Sequence, residues 1–502
     1  AHPDRARFLN IDSIADRDPY VERLFEGFAF LTARIRQRLE RSFGELTEGL
    51  LQHLWPHLLQ EIPSLTIMEL RPRRGLLQET RTLTRGAQVL SSPVGRDAVV
   101  CRFSTTQNVR LHPVTLLNVQ RSTDTHGGES ITFTFRLEKG SCWERVALEP
   151  LRLYIHAESP LALHLHRFLT TRVCRASVAA EGVAPMALDT PAPVTPGGLS
   201  PEEALLPHDP RTFWGYTLLL EYFACPEKFL FVDLHGLDRL HVSETPPERF
   251  SYTVTFDTEL PVRKSLSAEN FRLHCTPAVN LFRHDVEPIH VDGRRDEYRL
   301  VADTRHHGTV HCHSVISVTG VDRTTGARAT YASAEAAQTH DGAAQPVYAA
   351  HYRHGTDGRR WVTVSIGGNR LNGDRVREET LSVEAWCSNG EVPREELTEG
   401  MINVPGPAFP EYVVPANVTR PTLPCRPAND DGCRRAFLSH LSATYRSLSS
   451  AESLRSFLRT YNWSDLEERK RRIEAITDVT AVPEEGWYRG CIVRGLLLRV
   501  TL

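Results

Sequence analysis

The spacing of apolar residues changes at Ser64, and this change constrains the fold more than any other feature of the chain. Before it, from Pro19 onward, apolar residues recur at intervals of three and four, which is typical of one face of a helix. After it, short apolar runs alternate with Gly and Pro, which predicts strands. We therefore expect an α+β multi-domain protein, in which an N-terminal amphipathic helical arm precedes β-rich domains and a mixed helical and β C-terminal region.

The apolar stripe of this arm is the first candidate functional surface. An amphipathic helix needs a partner for its apolar face. Two partners are open: the β-rich domain of the same chain, or an intermolecular helical bundle. The stripe comprises Val21, Leu24, Phe28, Leu31, Ile35 and Leu39.

Composition excludes several classes of protein. The 502 residues are 40% hydrophobic and 24% charged, as in an ordinary globular protein. No apolar run approaches the 18 residues that a membrane-spanning helix needs, so we expect no direct membrane insertion. A net charge of -3 disfavours nucleic acid as a partner, because duplex-binding domains present strongly basic faces.

The ends and the cysteines indicate a cytoplasmic protein. The chain opens at Ala1-His2-Pro3 without a charged and then apolar leader, so we expect no signal peptide and a start inside a longer protein. Its ten cysteines are scattered and form no CxxC pair, which favours reduced thiols over a disulfide framework.

Shifts in pattern divide the chain into seven predicted segments. Two of them are rich in proline and are interpreted as extended connectors. The segments are a helical arm (1–63), a β-rich domain with a helix (64–184), a Pro-rich connector (185–211), a central α/β region (212–299), a second β-rich region (300–404), another Pro-rich connector (405–432), and C-terminal helices and strands that we expect to be truncated (433–502).

Sequence motifs of catalysis are sparse. The chain contains no phosphate-binding loop, dinucleotide fingerprint, nucleophile elbow or HExxH helix. On a strand, His311 and His313 would point to one face and could both bind zinc, with His351 or His354 as a third ligand. A zinc-dependent hydrolase or effector is therefore the alternative from another functional class. With 22 histidines in the chain, an HxH pair arises readily by chance, and we expect no catalytic residue, no metal and no cofactor.

Several ordered motifs resemble a known family. The opening stretch 18–24 is similar to the start of the TssF family, also called VasA or ImpG, and further matches follow over nearly the whole chain. The most specific are Glu221-Tyr222-Phe223, Pro226-Glu227-Lys228-Phe229-Leu230-Phe231 and Asp233-Leu234-His235-Gly236-Leu237.

The resemblance implies a structural role, not an enzymatic one. TssF proteins are baseplate subunits of the type VI secretion system. Two copies join one TssG in a wedge, TssK trimers bind it, and wedges surround the VgrG spike with TssE and the sheath nearby. The resemblance thus implies a cytoplasmic location, docked at the inner-membrane complex, where the baseplate initiates sheath assembly. A wedge protein of a phage tail or of another contractile injection machine is the alternative within this class.

Overall fold

The structure is a computed structural model. It describes residues 20, 23–36, 51, 58–123, 128–207, 212–242, 247–260, 265–292, 295–304, 308–334, 346–354, 360–367, 371–372, 375–376, 378–407, 409–427, 449–464, 466–488 and 491–502.

Helices are the minor component of the described residues. They are α1 (residues 23–36), α2 (Ser159–Thr171), α3 (Trp214–Ala224), α4 (Val392–Glu396), α5 (Ala451–Tyr461) and α6 (Glu467–Glu474). Short 3-10 turns include Pro201–Glu203 and Pro226–Phe229.

Strands dominate, as the sequence predicts. The described strands begin with β1 (Leu65–Pro72), β2 (Arg81–Leu83), β3 (Gln88–Ser91), β4 (Arg102–Thr105), β5 (Val109–Leu111), β6 (Val114–Thr123), β7 (Glu129–Leu137), β8 (Leu151–Ile155), β9 (Val173–Ala180), β10 (Met186–Ala187) and β11 (Val194–Pro196). The central strands are β12 (Phe231–Leu234), β13 (Arg249–Phe256), β14 (Phe271–Leu273), β15 (Cys275–Val279), β16 (Phe282–Asp285), β17 (Ile289–Val291), β18 (Tyr298–Arg299), β19 (His311–Asp322) and β20 (Arg328–Ser333). The last are β21 (Val347–His354), β22 (Arg360–Gly367), β23 (Leu371–Asn372), β24 (Arg375–Val376), β25 (Glu379–Ser388), β26 (Ile402–Pro405), β27 (Val413–Asn417), β28 (Asp478–Tyr488) and β29 (Cys491–Thr501).

Two sheets and α2 enclose one aromatic core. Among the described strands, one sheet has the order β10-β9-β13-β7-β6 and the other the order β11-β12-β8-β14. Alternate residues of β13 point inward, as expected for a half-buried strand. Phe133 of β7 meets Phe271 of β14 edge-on, with ring centroids 4.9 Å apart, so an aromatic contact joins the two sheets.

A third sheet collects strands that lie far apart in the sequence. In the described part of the chain its order is β26-β3-β4-β15-β1-β27. Met68 of β1 pairs with Asn417 of β27, and Leu65 pairs with Val279 of β15. Strands from four of the predicted segments therefore share this sheet, including β27 from the segment 405–432. The predicted domain boundaries themselves stay a prediction.

The largest described sheet has the order β16-β25-β19-β20-β21-β22-β18, with β17 also paired to β25. Its long pair, β19 and β25, is antiparallel and carries two register shifts, between Cys312 and Ser314 and between Val315 and Ser317. Such bulges bend and twist a strand locally. Leu381, Val383, Ala385 and Cys387 of β25 are fully buried on its core face.

Contacts along the chain divide it into two compact units. One comprises Gln60–Arg426 and Tyr461–Ala475, which includes β1 to β27 and α6. The other comprises Ala1–Leu59, Pro427–Thr460 and Ile476–Leu502, and its described elements are α1, most of α5, and the hairpin of β28 and β29.

A buried ion pair lies in the larger unit. The side chain of Lys228 is 0% exposed and that of Glu221 is 4% exposed, and the Lys228 ammonium donates to the Glu221 carboxylate. The other Glu221 oxygen accepts from the Leu205 backbone N–H at 2.7 Å, and the Lys228 ammonium lies 5.4 Å from the centroid of the Trp214 ring. The pair thus fixes α3, the 3-10 turn after it and the Pro-rich segment 185–211 to one another.

We predict that breaking this pair destabilises the larger unit severely. Lys228→Met leaves the Glu221 carboxylate buried without its cation, which should lower the free energy of unfolding by about 3–5 kcal/mol. The double variant Glu221→Gln with Lys228→Met removes both charges and keeps an acceptor for Leu205, so it should recover more than half of that loss. Urea unfolding followed by circular dichroism measures both changes, and a double variant as unstable as the single one would contradict the prediction.

Candidate functional site

Helix α1 presents large apolar side chains to solvent. Of the predicted stripe, Leu24, Phe28, Leu31 and Ile35 are exposed by 73%, 70%, 58% and 61%. These four residues lie at helical intervals of four, three and four, over a rise of about 16 Å. Val21 and Leu39, the two ends of the predicted stripe, lie outside the described residues.

Two further apolar side chains of α1 are exposed outside the predicted stripe. Phe25 and Phe30 are also exposed, by 50% and 62%, and Phe30 has the Arg34 guanidinium 5.9 Å from its ring centroid. Burying one such side chain contributes about 1.5–3 kcal/mol. The exposed apolar stripe of this helix is therefore suited to contact with another apolar surface.

The hairpin of β28 and β29 is a second exposed apolar element, which sequence reasoning did not identify as a candidate surface. Val482, Ile492, Leu497 and Val500 are exposed by 41–63%, although they lie in strands. The signal in the sequence was the run Gly495-Leu496-Leu497-Leu498, since a strand that is apolar on both faces is typical of the interior of a sheet.

The two edges of this hairpin differ. Strand β28 carries Pro483, Glu484 and Glu485, and proline and charge on an edge strand oppose pairing with a further strand. Strand β29 carries two charged residues, Arg494 and Arg499, but no proline. The edge of β29 is thus the one suited to pairing.

The histidines of the zinc hypothesis have other contacts. His313 is 9% exposed, and its Nε2 lies 2.7 Å from the backbone carbonyl of Glu61, while its Nδ1 lies 3.3 Å from the Ser314 hydroxyl. The register shift after Cys312 places His313 at a bulge, so it does not follow the simple alternation that would pair it with His311. His351 Nε2 lies 3.0 Å from the Ser365 hydroxyl, and the side chain of His354 is outside the described part.

No group of three or more His, Cys, Asp or Glu side chains among the described residues is arranged to hold a metal ion. None of the described helices is both long and apolar enough to cross a membrane.

The central motifs hold the Pro-rich segment 185–211 in place through charged contacts. Arg152 donates to both oxygens of Asp233 at 2.7 Å and also to Glu203, whose other oxygen accepts the backbone N–H groups of Gly198 and Ser200. The positive charge and hydrogen bond of Arg152, together with the N–H groups of Ser200 and Gly198, lower the pKa of Glu203. The pKa of Glu203 falls although burial acts to raise it. Asp233 of the motif thus positions Arg152, and Arg152 and Glu203 together fix the backbone at Gly198 and Ser200.

A second contact of this kind involves His235 of the central motif. Its Nδ1 lies 2.8 Å from Glu149, and its Nε2 lies 2.9 Å from the Thr195 hydroxyl. The other Glu149 oxygen accepts the N–H of Gly236 at 2.7 Å. Tyr252 donates to the Pro193 carbonyl at 2.7 Å. These hydrogen bonds hold β11 against the core, so His235 of the motif positions backbone and side chains of the fold.

Helix α6 contacts the end of α3, where the motif Glu221-Tyr222-Phe223 lies. Arg469 donates to the Phe223 carbonyl, and Arg472 donates to the Tyr222 hydroxyl at 3.1 Å. Arg472 also pairs with Glu468 on its own helix. The charge run from Glu467 to Arg472 is, as a sequence pattern, typical of a solvated helix face, whereas two of its arginines make specific contacts.

Two cavities of about 370 and 340 Å³ in the larger unit share two buried histidines in their walls. His112 and His274 line both cavities, and the His112 backbone N–H donates to His274 Nε2 at 3.0 Å. Burial, with His274 and Arg110 nearby, lowers the pKa of His112 to about 3, and burial lowers that of His274 to about 4. Both rings are therefore neutral at physiological pH.

We predict acid sensitivity from this pair. Since both folded-state pKa values lie below the unfolded value of about 6.5, stability is complete above pH 6.5 and is lost as pH falls toward 4 and 3. At pH 5 each histidine should lower the free energy of unfolding by about 2 kcal/mol relative to its value at pH 7. His274→Asn removes one titrating group and suits the left-handed backbone there, where φ is +56°. Urea unfolding between pH 7 and 5 should show a weaker pH dependence for this variant than for the wild type.

The matched control is His290→Asn, which changes an exposed histidine. It should keep the pH dependence of the wild type. Equal pH dependence in all three proteins would contradict the assignment.

The sequence matches the family model "Type VI secretion system, TssF" over residues 1–502. The chain belongs to the TssF family. It is 31% identical over 333 residues to the type VI secretion system component TssF1 of Pseudomonas aeruginosa, an alignment that covers 63% of this chain and 54% of that protein. The match thus spans about half the length of this TssF relative.

Two solved structures of type VI baseplates contain a chain that resembles the chain described above. One is a TssK-TssF-TssG baseplate subcomplex determined by cryo-electron microscopy, with a TM-score of 0.78 and 32% identity over 96% of this chain and 89% of that chain. The other is the baseplate complex from the type VI secretion system, with a TM-score of 0.62 and 30% identity over 99% and 86% of the two chains.

Proposed function

We propose that this chain is a structural wedge subunit of a type VI secretion baseplate. The observation that carries the proposal is its likeness over 96% of its length to a chain of a TssK-TssF-TssG subcomplex. By this proposal it binds a TssG-like subunit, a second copy of itself and TssK, around a VgrG spike with TssE and sheath proteins nearby. Its work is assembly and conformational change, with no catalytic step and no cofactor.

The proposed location is the cytoplasmic side of the inner membrane, where the baseplate docks on the membrane complex and initiates sheath assembly. Family membership favours this context over the alternative of a phage-tail wedge. The alternative of a zinc hydrolase is disfavoured by the contacts of His313, whose ring nitrogens lie near Glu61 and Ser314.

The proposed interface includes the stripe on α1 as part of an N-terminal helical arm. Four of its six residues are more than half exposed, which supports the stripe as a contact surface in an intermolecular bundle. The apolar hairpin of β28 and β29 belongs to the same compact unit as α1 and is proposed as a further contact surface.

We predict a defined stoichiometry. Co-expression of the full-length protein with its TssG-like partner should give a stable complex with two copies of this chain for each TssG-like subunit. Native mass spectrometry of the purified complex measures the ratio, and the chain expressed alone is the control. A ratio of one to one, or no complex, would refute the wedge proposal.

We also predict that charge in the stripe abolishes this complex. Phe28→Asp with Leu31→Asp places two carboxylates where apolar side chains would be buried, and should cost several kcal/mol of association, since each side chain contributes about 1.5–3 kcal/mol. The complex should therefore be absent by size-exclusion chromatography, while the variant alone melts near the wild-type temperature.

Ala29→Asp with Ala33→Asp is the matched control, because it adds the same charge to the opposite side of α1. It should leave the complex intact. Global unfolding of the stripe variant would show that the stripe is core of its own chain, and an unchanged complex would show that it is no interface.

A further inference from the structure

Cys312 and Cys387 face each other across the strands β19 and β25. They are direct partners in the antiparallel register, and their thiols are hydrogen-bonded. Directly opposed residues hold their Cβ atoms about 4.5–5.5 Å apart, and a disulfide needs about 3.5–4.5 Å. The two Cβ atoms would therefore have to approach by about 1 Å. Because the register shift directly after Cys312 already interrupts the regular hydrogen bonding of the strands, this approach would disturb little of the sheet.

The two thiols differ in their access to solvent. Cys387 is fully buried, whereas Cys312 is partly exposed and lines a cavity of about 80 Å³ with Arg299, His311 and Trp361. The Arg299 guanidinium lies 4.8 Å from the centroid of the Trp361 ring, which holds it at the cavity wall. A cavity of this size admits a few water-sized molecules and is far smaller than the 300 Å³ or more that drug-sized ligands occupy.

The electrostatic surroundings assign different roles to the two thiols. The hydrogen bond from Cys387, together with the nearby Arg299 guanidinium, lowers the pKa of Cys312 in spite of its burial. The same hydrogen bond and burial raise the pKa of Cys387. Because the thiolate is the reactive form, Cys312 is the nucleophile of the pair and Cys387 is the second thiol that traps its oxidised product.

We propose that Cys312 and Cys387 form an oxidisable pair whose substrate is a small hydroperoxide, of which hydrogen peroxide is the simplest. The Cys312 thiolate attacks one peroxide oxygen, the O–O bond breaks, and the departing hydroxide takes up a proton to give water and a sulfenic acid. The Cys387 sulfur then attacks the Cys312 sulfur, an S–S bond forms, the S–O bond breaks, and the hydroxide leaves as water with the Cys387 proton. Two thiols and one hydrogen peroxide thus give one disulfide and two waters.

The disulfide would join two interior strands, β19 and β25, of the largest described sheet. It would fix the bulge at His313, whose ring contacts the Glu61 carbonyl at the start of the larger unit. A thiol reductant reverses a disulfide, so the oxidation is a reversible modification and distinct from further oxidation to sulfinic acid.

The experiment treats the purified full-length protein with hydrogen peroxide and maps its peptides by mass spectrometry without reduction. We expect a cross-linked peptide containing Cys312 and Cys387, 2 Da lighter than the two free peptides, that disappears after dithiothreitol. In Cys387→Ser the sulfenic acid should persist and be labelled by dimedone at Cys312, and in Cys312→Ser the Cys387 peptide should stay reduced.

Cys142 and Cys174 are the internal controls, since both are exposed. Cys312 should be oxidised several-fold faster than either of them, and oxidised glutathione, a bulky disulfide, should form the cross-link more slowly than peroxide does. Oxidation of Cys312 to sulfinic acid with Cys387 still reduced, or faster oxidation of Cys142, would overturn the proposal. The wild-type measurement alone decides this, even if a variant fails to fold.

Discussion

The pairing of β1 with both β15 and β27 is the constraint on which much of the larger unit depends. The first six residues of β1 are buried, and its two neighbours come from positions more than 200 and more than 340 residues further along the chain. The entropic cost of closing such loops grows only slowly with their length, so long insertions between paired strands are tolerated. The chain between β1 and β27 can therefore hold the other described sheets of this unit while the ends of the unit stay fixed together.

Charged side chains hold the Pro-rich segment 185–211 where the sheets provide few backbone hydrogen bonds. The described residues of the segment 185–211 contribute only the short strands β10 and β11 to the sheets, and its proline residues cannot donate backbone hydrogen bonds. Glu203 and Glu221 accept backbone N–H groups in this segment, and each is met by a basic side chain. A buried carboxylate without such a partner would be costly, so each pair fixes one conformation of the segment.

The periodicity of the sequence predicts the local elements better than their arrangement. The spacing of Leu24, Phe28, Leu31 and Ile35 is a local signal, and these residues lie on a helix as predicted. The pairing of β1 with β27 has no local signal, because any two apolar strands satisfy the same pattern. The bulge at His313 is equally hidden, since alternation along a strand assumes an unbroken ladder. The hairpin surface could have been found, because the run of three leucines from Leu496 to Leu498 is unusual for a strand exposed to water.

The two compact units also differ in how their polar and apolar groups are distributed. In the larger unit, Arg152, Lys228 and His235 of the described networks contact carboxylates or backbone groups that hold the fold. In the smaller unit the balance is reversed: α1 and the hairpin expose leucine, isoleucine and phenylalanine side chains that a lone chain gains nothing by showing to water. A chain that satisfies its charges internally and leaves its apolar groups exposed is suited to joining other subunits. The physical chemistry of the single chain and its membership of the TssF family therefore lead to the same role.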